Sequence, residues 1–153
     1  MNALELRIPP VTVALAFAAA MWIASSLAPS VTLVIPWRFA VAIALAGVGI
    51  AFSLAGVFAF RKAGTTVNPT NPEATSTVVT SRIYGVSRNP MYVGFLLVLA
   101  GWAVLLGHVL AFLLLPAFVA YMNRFQIAPE ERALAARFGG EYASYLRSVR
   151  RWL

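Results

Sequence analysis

Two short stretches hold most of the groups in this chain that can do chemistry. The first is Ser87-Arg88-Asn89-Pro90-Met91-Tyr92-Val93-Gly94. Pro90 suits the first turn of a helix, where its missing N–H is no loss, and it biases Asn89 away from helical backbone. Asn89 is therefore expected to cap that helix with its side-chain oxygen. Arg88 stands just outside, beside free N–H groups that favour an anion. Tyr92 adds a hydroxyl in the first turn, and Gly94 leaves a gap where another backbone or a ligand can come close. The second stretch is Glu130-Glu131, directly after Pro129. Carboxylates there can simply complement a helix N-terminus. They can also accept hydrogen bonds from two vicinal hydroxyls, as on a ribose. Arg88 has the same double character: it can reach for the membrane interface or hold a carboxylate or phosphate.

The elements that must position these groups are apolar. Of 153 residues, 61% are hydrophobic and 11% charged, with a mean hydropathy of +0.80. Water-soluble domains carry about 25% charged residues, so this composition belongs in a bilayer. The expected fold class is all-α: a single polytopic membrane helix bundle over residues 1–153, with about four transmembrane helices and a C-terminal amphipathic cytoplasmic helix. The spans fall at about 10–27, 37–60, 91–106 and 109–127, the last bent near Pro116. Residues 1–9 lack the features of a removable signal peptide, so the first helix is read as a mature span. Gly47, Gly49 and Gly56 supply small faces for close helix packing. Residues 61–89 form a long polar connection with Asn-Pro pairs at Asn68-Pro69 and Asn71-Pro72, a length often kept for function. Over 129–147, Leu134, Phe138, Tyr142 and Tyr145 recur on one face of an amphipathic helix that Gly139-Gly140 loosens.

With the N-terminus inside, every Lys and Arg but Arg38 lies on the cytoplasmic side, as the positive-inside rule demands. Both termini, the long connection and both chemical stretches then face the cytoplasm, across the plasma (inner) membrane in a bacterium. His108, the only histidine, falls on the opposite face and cannot act as a base there. The net charge of +7 is read as a mark of orientation and not of nucleic-acid binding. The chain has no cysteine, which excludes disulfides and thiolate metal sites, and no metal is expected.

The pattern R-N-P-M-Y-x-G, then Gly101-Trp102, then E-E-R-x-L-x-x-x-F-G-x-E-Y-x-x-Y resembles the membrane methyltransferases related to isoprenylcysteine carboxyl methyltransferase. The resemblance runs from Thr66 to Leu153, and the first two helices carry no comparable motif. Isoprenylcysteine enzymes usually have Arg-His-Pro where this chain has Arg88-Asn89-Pro90; the Asn-Pro-Met-Tyr form also resembles the phosphatidylethanolamine N-methyltransferases of the same superfamily. An amide can donate the same hydrogen bond as the missing histidine. Arg82 stands where relatives often have Gly.

The resemblance implies a helix bundle that binds S-adenosylmethionine at its cytoplasmic face. Arg88, Asn89, Tyr92 and Gly94 would surround the methionine end. Glu130 and Glu131 would lie near the ribose and adenine, and a strand-like approach over Val79–Tyr84 would bring Tyr84 to the pocket. Arg88 and Glu131 are the catalytic candidates, with Glu131 the base if one is needed. The acceptor is expected to be a lipidic or prenylated molecule drawn from the membrane lipids around the bundle. Arg124 and Arg147 are candidates to hold its carboxylate or phosphate, or simply anionic headgroups. Carboxyl methylation of the isoprenylcysteine type is the first expectation and N-methylation of a phospholipid amine the alternative; a carboxylate needs no base, whereas an amine must lose a proton. A small four-helix transporter is disfavoured because no Asp, Glu or Lys lies inside an expected span. A membrane reductase or a non-catalytic scaffold would also fail to bind the cofactor. Nothing in the sequence sets the oligomeric state.

Overall fold

The computed structural model describes residues 5–64, 76–80 and 82–153. Both Asn-Pro pairs of the long connection lie outside the described residues. Five α-helices follow in order: α1 (Pro10–Leu27), α2 (Arg38–Lys62), α3 (Pro90–Leu106), α4 (Val109–Met122) and α5 (Ala128–Ser148). A π-helical turn, Asn123–Ile127, joins α4 to α5 without a break. Among the described residues the only β-type pairing is a bridge between Thr32 and His108. The molecule is thus an all-α membrane helix bundle. Pro10–Leu27, Arg38–Lys62 and the run Val109–Ser148 are long and apolar enough to cross a bilayer, while the apolar Pro90–Leu106 is shorter; Gly139 kinks the last of these, with non-helical backbone at φ +52° and ψ −121°.

Helix α3 is the central post. It packs along α2 on one side and against α1 and α4 on the other. In lipid there is little hydrophobic drive between apolar helices, so shape must hold them. Small residues provide that shape. A Cβ on Gly49 would lie 2.6 Å from the Gly94 carbonyl oxygen, and one on Gly101 would lie 2.8 Å from that of Ala42. Gly94 in turn faces the backbone of Gly49 and Ser53, so its gap is filled by α2 and not by a ligand. Phe39, Ile43, Ile50 and Leu54 on α2 remain exposed, as a lipid-facing surface should.

The end of the bundle remote from the Arg88 stretch is closed by backbone and one imidazole. Gly107 ends α3 in the left-handed conformation, φ +60°, with its N–H on the Ala103 carbonyl. His108 then caps α4: its Nδ1 accepts from Leu110 N–H at 3.2 Å. That places the ring proton on Nε2, which meets the Ala28 carbonyl at 2.6 Å. His108 is almost fully buried and acts as a structural cap far from both chemical stretches.

Pro116 lies inside α4, and a π-helical turn follows at Asn123–Ile127. The N-terminal segment closes over this turn: Leu6 N–H donates to Phe125 O at 3.1 Å, and Gln126 Nε2 to Ile8 O at 2.7 Å. Glu5 pairs with both Arg124 and Arg132 at 2.9 Å. One expectation about local geometry changes: the Val79–Tyr84 approach is not strand-like, since Arg82–Gly85 forms a 3-10 turn.

The α2–α3 seam yields a contrast that thermal unfolding in lipid nanodiscs can check. Gly94→Ala should destabilise the protein by about 1–3 kcal/mol, because the new methyl meets backbone that cannot yield. Gly47→Ala, with nothing within 4 Å of its added carbon, should be neutral or slightly stabilising.

Candidate active site

At the end of the bundle where α3 begins, a cavity of about 620 Å³, counting its open part, lies between α3, α5 and the end of α2. Its walls include Tyr84, Arg88, Asn89, Tyr92, Glu130 and Glu131, so six of the residues singled out from the sequence meet around one space. Gly94, Arg124 and Arg147 do not line it. Gly94 is turned to α2, Arg124 to Glu5, and exposed Arg147 to the Ser144 hydroxyl at 3.1 Å.

The first chemical stretch is held by the chain's C-terminal residues, not by its own cap. Asn89 occupies the N-cap position of α3 but makes no side-chain cap. Its amide nitrogen donates instead to Arg151 O at 2.9 Å, and its own N–H goes to Ser87 Oγ at 3.1 Å. Arg88 N–H donates to Arg150 O at 3.0 Å. Local sequence favours a cap, but a carbonyl 62 positions away wins the amide.

Glu131 is clamped between two guanidinium groups. Arg88 Nη2 reaches Oε1 at 3.0 Å. Arg151 makes a forked contact, Nε to Oε1 at 3.1 Å and Nη2 to Oε2 at 2.5 Å. Arg88 Nη1 also donates to Leu146 O at 2.8 Å. Arg88 is therefore not a free anion receptor waiting beside a helix end. Yet its Nε is buried and has no partner among the described residues, so one donor remains to be satisfied.

Glu130 has a different environment. Its Oε2 accepts the Tyr92 hydroxyl at 3.2 Å. Burial pushes its carboxyl up to about 7, the nearby Glu131 charge adds to the rise, and the Tyr92 hydrogen bond opposes it. The two adjacent carboxylates thus sit in different surroundings, Glu131 between two cations and Glu130 against the Tyr92 hydroxyl. Glu131, the residue the sequence analysis offered as a base if one is needed, is the one held by both guanidinium groups.

Aromatic rings complete the enclosure. Phe60 and Tyr84 meet edge to face at 5.2 Å, and Tyr142 and Tyr145 stand 6.1 Å apart. Tyr145 donates its hydroxyl to Tyr84 O at 2.7 Å, which fastens the 3-10 turn to α5. Burial raises the phenols of Tyr84, Tyr142 and Tyr145 well above their usual range, so they stay neutral donors. Tyr142 and Tyr145 entered the sequence analysis as part of an apolar helix face and of the family motif but not as site residues, and Arg151 only as a topological charge. Helical spacing alone leaves these tyrosines about three to four turns from Glu131, across the kink at Gly139, and nothing local marks Arg151.

The phospholipid methyltransferase family profile matches residues 37–141 of this chain. Over 63 residues the chain is 48% identical to an uncharacterised protein of Haemophilus influenzae, a stretch covering 41% of this chain and 100% of that relative. No solved structure matches it.

The two carboxylates can be told apart by infrared titration of the protonated carboxyl band. A band lost as pH rises through about 7 should be present in the intact protein and absent from Glu130→Gln. Tyr92→Phe should move its loss to higher pH, because the hydrogen bond that favours the ionised form is gone. The folded protein holds this proton more tightly than the unfolded chain does. The Glu130 contribution to stability should therefore decline as pH rises from about 4.5 to about 7 and stay level above that.

Proposed function

The chain belongs to the phospholipid methyltransferase family, and from that premise we propose that its cavity binds S-adenosylmethionine and that the methyl acceptor is the amine of a phospholipid headgroup. The cofactor reading is supported by the unpartnered Arg88 Nε, a buried donor that suits the carboxylate of an amino-acid moiety. Asn89 lies beside it on the cavity wall, and the faces of Phe60, Tyr84, Tyr142 and Tyr145 suit a flat purine. When bound, S-adenosylmethionine supplies a methyl group on a cationic sulfur, open to in-line displacement once donor and acceptor are aligned.

The observation that carries the choice of acceptor is Glu130. A carboxyl raised to about 7 is matched to taking a proton near neutral pH. A lipid ammonium must lose that proton before its nitrogen can attack, whereas a carboxylate acceptor has no use for it. Glu131, held by Arg88 and Arg151, keeps the wall in place. The tyrosine and phenylalanine walls exclude water. Basic residues cluster at this end of the bundle, which supports a cytoplasmic site by the positive-inside rule.

Methyl-labelled S-adenosylmethionine, incubated with the protein in phosphatidylethanolamine nanodiscs, tests the whole reading. Label should enter the organic phase and resist mild base. Glu130→Gln should lower transfer by about 10²–10⁴ while calorimetry still shows cofactor binding. For the intact protein kcat/KM should fall about tenfold per pH unit below about 7, since the base must be ionised to act. Label released by mild base as methanol would replace the amine with a carboxyl acceptor. A protein that binds no S-adenosylmethionine would end the assignment.

A further inference from the structure

Ala55, Phe58, Ala59 and Lys62 recur along α2 at helical spacing and make one stripe. With Arg82 and Ile83 of the 3-10 turn they line a groove of about 860 Å³, counting its open part. The two alanines leave the hollow, exposed Phe58 forms one wall, and Lys62 and Arg82 belong to its polar end. Among the described residues neither cation has an acidic partner within ion-pair distance.

This groove backs directly onto the cavity. Ala59 lines the groove and Phe60 the cavity; Ile83 lines the groove and Tyr84 the cavity. On the cavity side of this boundary stands the Phe60–Tyr84 ring pair, edge to face at 5.2 Å. An apolar trough on a lipid-facing helix, ended by two cations at the level where α2 leaves the bilayer, complements a molecule with an apolar chain and a phosphate. A soluble anion has no use for the trough, and a neutral lipid has none for the cations.

We infer that this groove seats one membrane phospholipid, with its phosphate between Lys62 and Arg82 and an acyl chain along Ala55, Phe58 and Ala59. The inference rests on the proposed function in one respect: the headgroup of that lipid faces the boundary with the cavity. The cations that hold the lipid are thus not Arg124 and Arg147, the two the sequence put forward for that task.

Native mass spectrometry of the protein released from phosphatidylethanolamine vesicles tests the seat without catalysis. The intact protein should retain one phospholipid, and Lys62→Gln/Arg82→Gln should hold it about thirtyfold more weakly, at roughly fivefold per cation. Ala55→Phe, which fills the trough and leaves both charges, should lose the lipid as well. Diacylglycerol, which lacks the phosphate, should not be retained, and millimolar inorganic phosphate should not displace the lipid. Equal retention by the double variant and the intact protein would overturn the inference. So would retention of diacylglycerol, or displacement by inorganic phosphate. Calorimetric binding of S-adenosylmethionine, unchanged within twofold in the three-site set, shows that the variants are folded. If the intact protein bound no cofactor yet the charge-dependent lipid remained, the catalytic reading would fall and the lipid seat would stand.

Discussion

The site depends on one carboxylate shared by two guanidinium groups. Glu131 on α5 joins Arg88, which precedes α3, to Arg151, beyond the end of α5. Three segments distant in sequence are brought to one point by charge. Such a cluster is costly to desolvate, and only good geometry with filled hydrogen bonds makes it tolerable. Both oxygens of Glu131 are engaged, and Arg88 is further anchored on the Leu146 carbonyl. The tail that carries Arg151 also supplies the backbone carbonyls that hold Arg88 and Asn89. With one carboxylate committed to this junction, the other is left to its surroundings. Glu130 accepts the Tyr92 hydroxyl instead of a cation, and its burial raises its carboxyl above the usual range.

A second constraint acts along the bilayer. Apolar side chains gain little from leaving lipid for protein, so α2 and α3 hold together through close backbone approach. Gly49, Gly94 and Gly101 allow it, and the Ser53 hydroxyl adds a bond to Met91 O at 3.3 Å. This seam fixes the height of Pro90 relative to α2. The cavity inherits its depth from it, because Phe60 near the end of α2 and Tyr92 at the start of α3 are both wall residues.

Much of the architecture was legible because membrane helices announce themselves by uninterrupted apolar runs and by the prolines and glycines that end them. Pro10, Pro90 and Gly107 stand at helix ends in the structure as local rules require. What stayed hidden is what depends on distant partners. The Asn89 amide was spoken for by Arg151, and the gap at Gly94 by Gly49 and Ser53. Arg124 was claimed by Glu5, a residue with no local sign of a role. Motif resemblance brought Arg88, Asn89, Tyr92 and the Glu pair to attention together. It could not say which glutamate would be neutralised by cations, since that is decided by a tail outside the motif.

The π-helical turn at Asn123–Ile127 settles a conflict between two surfaces. Helix α4 must turn its apolar side chains to lipid and to α1, while α5 must turn Glu130 and Glu131 toward α3. An α-helix advances about 100° per residue, and a π-turn accommodates one residue beyond the α-helical pattern. The widened turn therefore behaves as a phase shifter. It lets α4 present a face chosen by oil and the first turns of α5, ahead of the kink at Gly139, a face chosen by chemistry, with no loop between them to blur where the carboxylates point.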